Sequence, residues 1–278
     1  MSTVRVNGVD LYYELSGSGE PLVLVHGSWG DHHNWDPVVA SLSESFRVLA
    51  YDRRGHSASQ RPAGRGSVFE DADDLAALID ELELAPAHIA GNSFGAVVVL
   101  RAAIRSPEVF RSLIAHEPPL FPLLAGTELE PALEQVQRRI AAVVGPLEAG
   151  DHEGAARLFA DTIAFGPGAW DQQLTSEMRD VFITNAPTWL DEVHDPDALQ
   201  PDLEALGGFD GPALLTSGTE SAPFFAPVVD MVAERLPRSE RVTIEGADHV
   251  PHISVPQRYV ELLRTFAQAE QSGAQGSS

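Results

Sequence analysis

Short, continuously apolar runs that alternate with helical patterns limit this chain's fold more than any other feature. Residues 22–25, 46–51, 88–90, 112–115, 213–216 and 241–244 are such runs. Strands buried on both faces of a parallel sheet have this character, whereas half-buried strands alternate apolar and polar residues. Two further strand-like runs, 4–6 and 9–15, flank Asn7-Gly8. That dipeptide predicts a hairpin, because a type I′ turn needs two positive φ angles. Helical periodicity follows at 71–84, 94–105, 228–236 and 256–267. The pattern predicts an antiparallel start and then a doubly wound α/β sheet.

One stretch breaks the alternation. Residues 120–201 contain helical patterns at 133–144, 153–165 and 175–182, together with Trp170 and Trp189, and no convincing strand. So long an insertion needs a packing role of its own and reads as a helical cap set between two core strands. The expected organisation is a core in two parts, 1–119 and 202–267, the cap at 120–201, and a solvated tail at 268–278.

Composition narrows the function. The 278 residues carry a formal charge of -23, with arginine as the only cation and no lysine. An acidic surface repels nucleic acid and anionic membranes, so neither is expected as a partner. The chain has no cysteine, which excludes disulfide and thiol chemistry. Neither a signal peptide nor an apolar run of membrane-spanning length is visible, so the expected location is the cytoplasm and the expected partner a small molecule. The histidines are scattered without metal-ligand spacing such as H-E-x-x-H, and no organic cofactor motif is present, so no metal and no cofactor are expected.

Gly91-Asn92-Ser93-Phe94-Gly95 sits between the run at 88–90 and the helical pattern at 94–105. A G-x-S-x-G sequence at a strand-to-helix turn lifts the serine hydroxyl out of the sheet and points the helix N-terminus at an anion forming on the substrate. Ser93 is therefore the candidate nucleophile. After the run at 22–25 comes His26-Gly27-Ser28-Trp29-Gly30, a loop able to aim backbone N–H groups into the same site. The N–H groups of Ser28 and Phe94 are the candidate oxyanion donors. His26 reads as a loop-packing residue, His32 and His33 as loop residues, and Trp29 and Trp35 as either entrance-lining or packed. His249, in Gly246-Ala247-Asp248-His249 after the last strand-like run, is the candidate base. It belongs to the strand edge where ligands bind in open α/β sheets. His252, three residues on, is its main rival.

Taken together, these motifs and Asp52-Arg53-Arg54-Gly55-His56-Ser57 resemble the α/β-hydrolase superfamily over essentially the whole chain up to the tail. The resemblance implies a mostly parallel, eight-stranded sheet with helices on both faces and a helical cap. It gives residues 52–57 a structural turn and no catalytic part. It also implies an acidic residue to orient the base. The usual place follows the penultimate strand, where Ser221 stands at the expected aspartate position and Glu220 one residue early. The other place ends the preceding strand, where Glu117 stands in a pattern like that of haloalkane-dehalogenase relatives. Glu117 is preferred over Glu220. Strand alternation is expected to turn His116 and Glu117 to opposite sides.

The implied activity is hydrolysis of a neutral small carboxylic ester or lactone through an acyl-enzyme. Phe121, Phe159, Phe165, Trp170, Phe182, Trp189, Phe224 and Phe225 are candidates to line an apolar pocket. Carbon–carbon bond hydrolysis and perhydrolysis use similar machinery. Dehalogenation and epoxide opening do not fit, because the superfamily performs them with an aspartate nucleophile. The reading from a different class is a hydrolase-fold small-molecule receptor with little turnover.

Overall fold

The computed structural model describes residues 2–200 and 202–275, with side chains as far as 269. Its strands are β1 Ser2–Val6, β2 Val9–Ser16, β3 Glu20–Val25, β4 Phe46–Tyr51, β5 Ala87–Asn92, β6 Phe110–His116, β7 Ala213–Gly218 and β8 Ser239–Ile244. They form one sheet in the order β1-β2-β4-β3-β5-β6-β7-β8. Asn7 (φ 46°) and Gly8 (φ 84°) make the predicted hairpin turn. β2 pairs antiparallel with β1 and β4, and from β4 onward all neighbours are parallel.

The helices are α1 Asp36–Leu42, α2 Val68–Glu81, α3 Phe94–Arg105, α4 Glu130–Glu148, α5 His152–Phe159, α6 Ala169–Gln172, α7 Ser176–His194, α8 Leu203–Leu206, α9 Phe225–Ala233, α10 Pro251–Ser254 and α11 Pro256–Gln275. Alternate residues of each central strand feed two cores. Val23, Val25, Leu49, Ile89, Leu113 and Leu215 pack with α2, α3 and α9 on one face. Leu22, Leu24, Val48, Ala90, Ile114 and Leu214 pack with α1 and α11 on the other. Burial on both faces is why these strands read as continuous apolar runs.

Local chemistry moves several boundaries. α2 starts at Val68, before its apolar pattern, because the Ser67 side chain accepts from the Glu70 N–H at 3.3 Å. That capping bond is worth ~1 kcal/mol. α7 runs far past 182, through Pro187 to His194. α11 continues through Gln275 into the stretch expected to be tail. Residues 268–275 are mostly alanine, glutamine and glutamate, which favour helix. Residues 276–278 lie outside the described residues, as does Pro201 at the end of the expected cap.

Between β6 and β7 the described residues form no strand. Here α4, α5, α6, α7 and the π-helical turn Ala160–Ala164 enclose a third core of Val143, Leu147, Trp170, Phe182 and Trp189. Trp29 enters this core from the loop after β3 and is fully buried there. Among the described residues, no helix is long and apolar enough to cross a membrane.

Candidate active site

Ser93 occupies the turn between β5 and α3 with φ 57° and ψ -125°. A non-glycine residue there costs roughly 1–3 kcal/mol, and such strain gathers at functional sites. The flanking glycines permit the turn. A Cβ on Gly95 would lie 2.2 Å from the Val25 carbonyl oxygen, and one on Gly91 would lie 2.4 Å from that of Gly95. Only hydrogen fits where strand, turn and helix cross this closely. The Ser93 N–H donates to the His116 carbonyl at 2.9 Å, while its side chain lines a large cavity.

His249 lies on the loop after β8. That loop is tied to the serine turn, because Asn92 Nδ2 donates to the His249 carbonyl at 2.7 Å. The ring stacks on Phe225 with centroids 4.5 Å apart, and Nδ1 lies 2.7 Å from Glu117 Oε2. Glu117 is fully buried, and its Oε1 accepts from the Gly218 N–H at 2.8 Å. Burial alone would raise its pKa, but the hydrogen bond from His249 and the nearby imidazoles hold it below the usual value. Glu117 is thus an ionised carboxylate that selects the Nδ1–H tautomer of His249 and leaves Nε2 as the acceptor.

The expected separation of His116 and Glu117 is not what the structure shows. β6 ends at His116, and Glu117 takes φ 46°. Strand alternation therefore stops one residue too early to separate them. His116 Nε2 lies 3.7 Å from Glu117 Oε2, and its Nδ1 lies 2.9 Å from Thr216 Oγ1. Burial pushes the His116 pKa down to about 4, so it is a neutral neighbour. Glu220 is exposed, with its carboxylate against the Thr219 hydroxyl at 3.4 Å. His252 is buried against Trp35, with ring centroids 4.2 Å apart, and burial takes its pKa to about 3.

The loop 26–30 lies against the serine turn. A Cβ on Gly27 would come 3.0 Å from Ser93 Cβ. Among the described residues, no protein acceptor takes the backbone N–H of Ser28 or of Phe94. His26 accepts from the Arg53 N–H at 3.0 Å through Nε2 and is buried, as a loop-packing residue would be. Trp29 and Trp35 are fully buried, so both are packed. His32 is also buried, with Nδ1 2.6 Å from Asp52 Oδ1.

One interaction had no signal in the sequence. Glu192 of α7 is buried, accepts from the Ser28 hydroxyl, and pairs with Arg53 Nη2 at 2.5 Å. Arg53 is fully buried and also reaches Asp71 at 3.2 Å. Asp31, His32 and Asp52 converge closely enough to hold a cation. Their oxygens, however, already accept from the N–H groups of His32, His33 and Ala58 and from the Ser57 hydroxyl. These bonds make them the anchor of the 52–59 turn.

The cavity of about 550 Å³ opens between two layers. Its floor comes from residues after five parallel strands: Gly27 and Ser28, Ser93, Pro119, Ser221, and His249. Its walls carry Phe121, Phe159, Phe165, Phe182, Trp189, Phe224 and Phe225. Trp170, expected among them, is buried in the third core instead. The volume suits a small organic molecule in a mostly apolar surround.

Comparison with known proteins agrees with this architecture. The model of the alpha/beta hydrolase family matches residues 22–262. The uncharacterized hydrolase YraK of Bacillus subtilis is 40% identical over 134 residues, which are 47% of this chain and 49% of YraK. The chain thus spans about half the length of that relative. A putative carbamate hydrolase, RutD of Pantoea ananatis, is 27% identical over 277 residues, covering 96% of each chain. The crystal structure of an alpha/beta hydrolase from Sphaerobacter thermophilus superposes with a TM-score of 0.77 at 25% identity, covering 95% of this chain and 99% of that one. With its sheet order, its strained serine turn and a family match across most of its length, the chain belongs to the alpha/beta hydrolase family.

Proposed function

We propose that the chain is a serine hydrolase that cleaves a neutral small carboxylic ester or lactone through an acyl-enzyme, with the helical segment 120–201 as its cap. The 2.7 Å contact between Glu117 and His249, on loops that meet the Ser93 turn at one cavity, is the observation that carries this reading.

In this mechanism Ser93 Oγ attacks the carbonyl carbon and passes its proton to His249 Nε2. The carbonyl π pair moves onto oxygen, where the N–H groups of Ser28 and Phe94 receive the anion. Glu117 stabilises the imidazolium without taking its proton. Collapse of the tetrahedral anion breaks the carbon–oxygen bond, and the leaving oxygen takes the proton from Nε2; in a lactone it stays tethered to the acyl group. Water then gives a proton to Nε2, attacks the acyl-enzyme and releases the acid, returning the proton to Ser93. These steps use the chain's own groups and water and call for no cofactor. We place the activity in the cytoplasm.

A carbamate presents the same attackable carbonyl. The full-length similarity to a protein named as a putative carbamate hydrolase therefore puts carbamates in the substrate screen beside esters and lactones.

The test is labelling with a fluorophosphonate and hydrolysis of p-nitrophenyl butyrate. Ser93→Ala abolishes both. Glu117→Gln lowers kcat by ~10⁴-fold, because an amide at this position favours the wrong imidazole tautomer. Glu220→Gln changes kcat little. A Ser93 that resists labelling in the folded protein favours the receptor reading, and a larger loss from Glu220→Gln than from Glu117→Gln moves the acid to position 220.

A further inference from the structure

The loop 26–30 is held from two sides. From the sheet side, the Arg53 N–H donates to His26 Nε2, and Arg53 Nη2 approaches the Gly27 carbonyl at 3.4 Å. From the other side, three residues of one face of α7 reach it or its neighbour. Asn185 Nδ2 donates to the carbonyls of Trp29 at 3.3 Å and Gly30 at 2.9 Å. Thr188 donates to the Gly55 carbonyl at 2.7 Å. Glu192 accepts from the Ser28 hydroxyl. Their spacing of three and four residues places them along a single helix stripe.

The loop conformation itself calls for such support. Trp29 has φ 66°, a left-handed backbone that a bulky residue adopts only when its surroundings impose it. The surroundings here are α5 and α7: the indole stacks on Phe159 at 4.7 Å and packs against Phe182 at 5.8 Å and Trp189 at 5.2 Å. With Trp29 anchored in the cap and Ser28 tethered beside it, the direction of the Ser28 N–H is set from above the sheet.

A carboxylate this close to a forming oxyanion opposes it unless its charge is offset. Arg53 supplies the offset: its guanidinium pairs with Glu192 and lies over the Phe94 ring, 4.9 Å from the centroid. It thus brings a fixed positive charge to the Gly27 carbonyl and the Phe94 ring, on the two segments that carry the candidate oxyanion donors.

From this geometry we infer that the cap completes the oxyanion hole: Glu192 is a positioning residue that fixes the Ser28 loop, with Arg53 neutralising its charge. The inference rests on the serine-hydrolase reading. Its consequence is that the transition state senses the seating of α7 more than the bound substrate does.

The experiment measures p-nitrophenyl butyrate hydrolysis by Ser28→Ala, Glu192→Met and the double variant, with inhibition by a trifluoromethyl ketone. That inhibitor forms a tetrahedral Ser93 adduct whose oxyanion occupies the hole. Ser28→Ala keeps the backbone N–H and loses only the tether. Each single variant is expected to lower kcat by ~10-fold or more with KM changed less than ~3-fold, below the loss from deleting a donor outright. The inhibitor Ki is expected to rise in parallel with the loss in kcat/KM. Glu192→Met removes the acceptor of the tether, so losing the Ser28 hydroxyl adds nothing further and the double variant is no slower than the slower single one. Wild-type kcat in Ser28→Ala, multiplicative losses in the double variant, or an unchanged Ki overturns the inference. Should Glu192→Met not fold, Ser28→Ala alone decides through kcat and Ki. An active Ser93→Ala enzyme instead removes the serine-hydrolase reading, so the two failures are distinguishable.

Discussion

Two buried carboxylates near Ser93 are treated in opposite ways by their surroundings. Glu117 receives hydrogen bonds on both oxygens, from His249 and from the Gly218 N–H, and the bond from His249 together with the nearby imidazoles outweighs its burial. Asp71 is buried with only a share of Arg53, and burial raises its pKa to about 7; Arg53 and Arg54 oppose this, while Glu192 and Asp74 add to it. A carboxyl group whose folded pKa is raised contributes stability while it is neutral. That contribution is complete below the unfolded value near 3.8 and is lost as pH climbs through about 7. Asp71→Asn, which stays neutral, is therefore expected to gain stability relative to wild type from pH 4 to pH 8. Urea midpoints across that range measure the difference, and a flat difference sinks the assignment. Of these residues, Glu117 had its place at a strand end legible in the apolar run before it, while its pairing with His249 was implied only by the family resemblance. The φ of 46° that brings it beside His116 was not, since no residue type at 117 announces a left-handed backbone.

Among the elements, α7 shows why polar residues inside a helix obscure it in sequence. Asn185, Pro187, Thr188 and Glu192 break the apolar periodicity that predicted a helix ending at 182. In the fold the three polar side chains are buried and bonded to loops 27–30 and 53–57. Their polarity reflects partners more than a hundred residues away in the chain, which local patterning does not report. The serine turn behaves in the opposite way: strand, G-x-S-x-G and helix are contiguous, so the elbow was readable from residues 88–105. Asn185 carries the loop side of α7. Its removal strands the Trp29 and Gly30 carbonyls and the Ser57 N–H, which Asn185 Oδ1 accepts at 2.7 Å. Asn185→Ala is expected to cost about 1–3 kcal/mol of unfolding free energy. Faster amide hydrogen exchange at residues 27–30, with unchanged exchange in β5, would place the loss at the loop; uniform exchange would not.

For the whole molecule, the antiparallel start and the doubly wound sheet followed from the spacing of apolar runs, but the strand order and the cavity did not. Its walls join residues from 27 to 253, and their convergence depends on how the segment between β6 and β7 settles over the strand ends. What sequence does carry to this scale is charge. At -23 with no lysine, the net charge that an approaching ligand meets is strongly negative. The cavity adds Glu220 and Asp248 against one lining arginine, Arg139, while Arg53 offsets the charge of Glu192. A neutral ester reaches Ser93 without crossing an electrostatic barrier, whereas an ester bearing a carboxylate must enter against the field. The barrier shrinks as salt shortens the Debye length from ~30 Å at about 0.01 M to ~10 Å at about 0.1 M. Over that range kcat/KM for a p-nitrophenyl hemisuccinate is expected to rise several-fold, while that for p-nitrophenyl butyrate stays constant. Equal salt dependence of the two would mean that the entrance does not sense the net charge, and a fall for the hemisuccinate would mean that Arg139 recruits anions more strongly than the rest of the surface repels them.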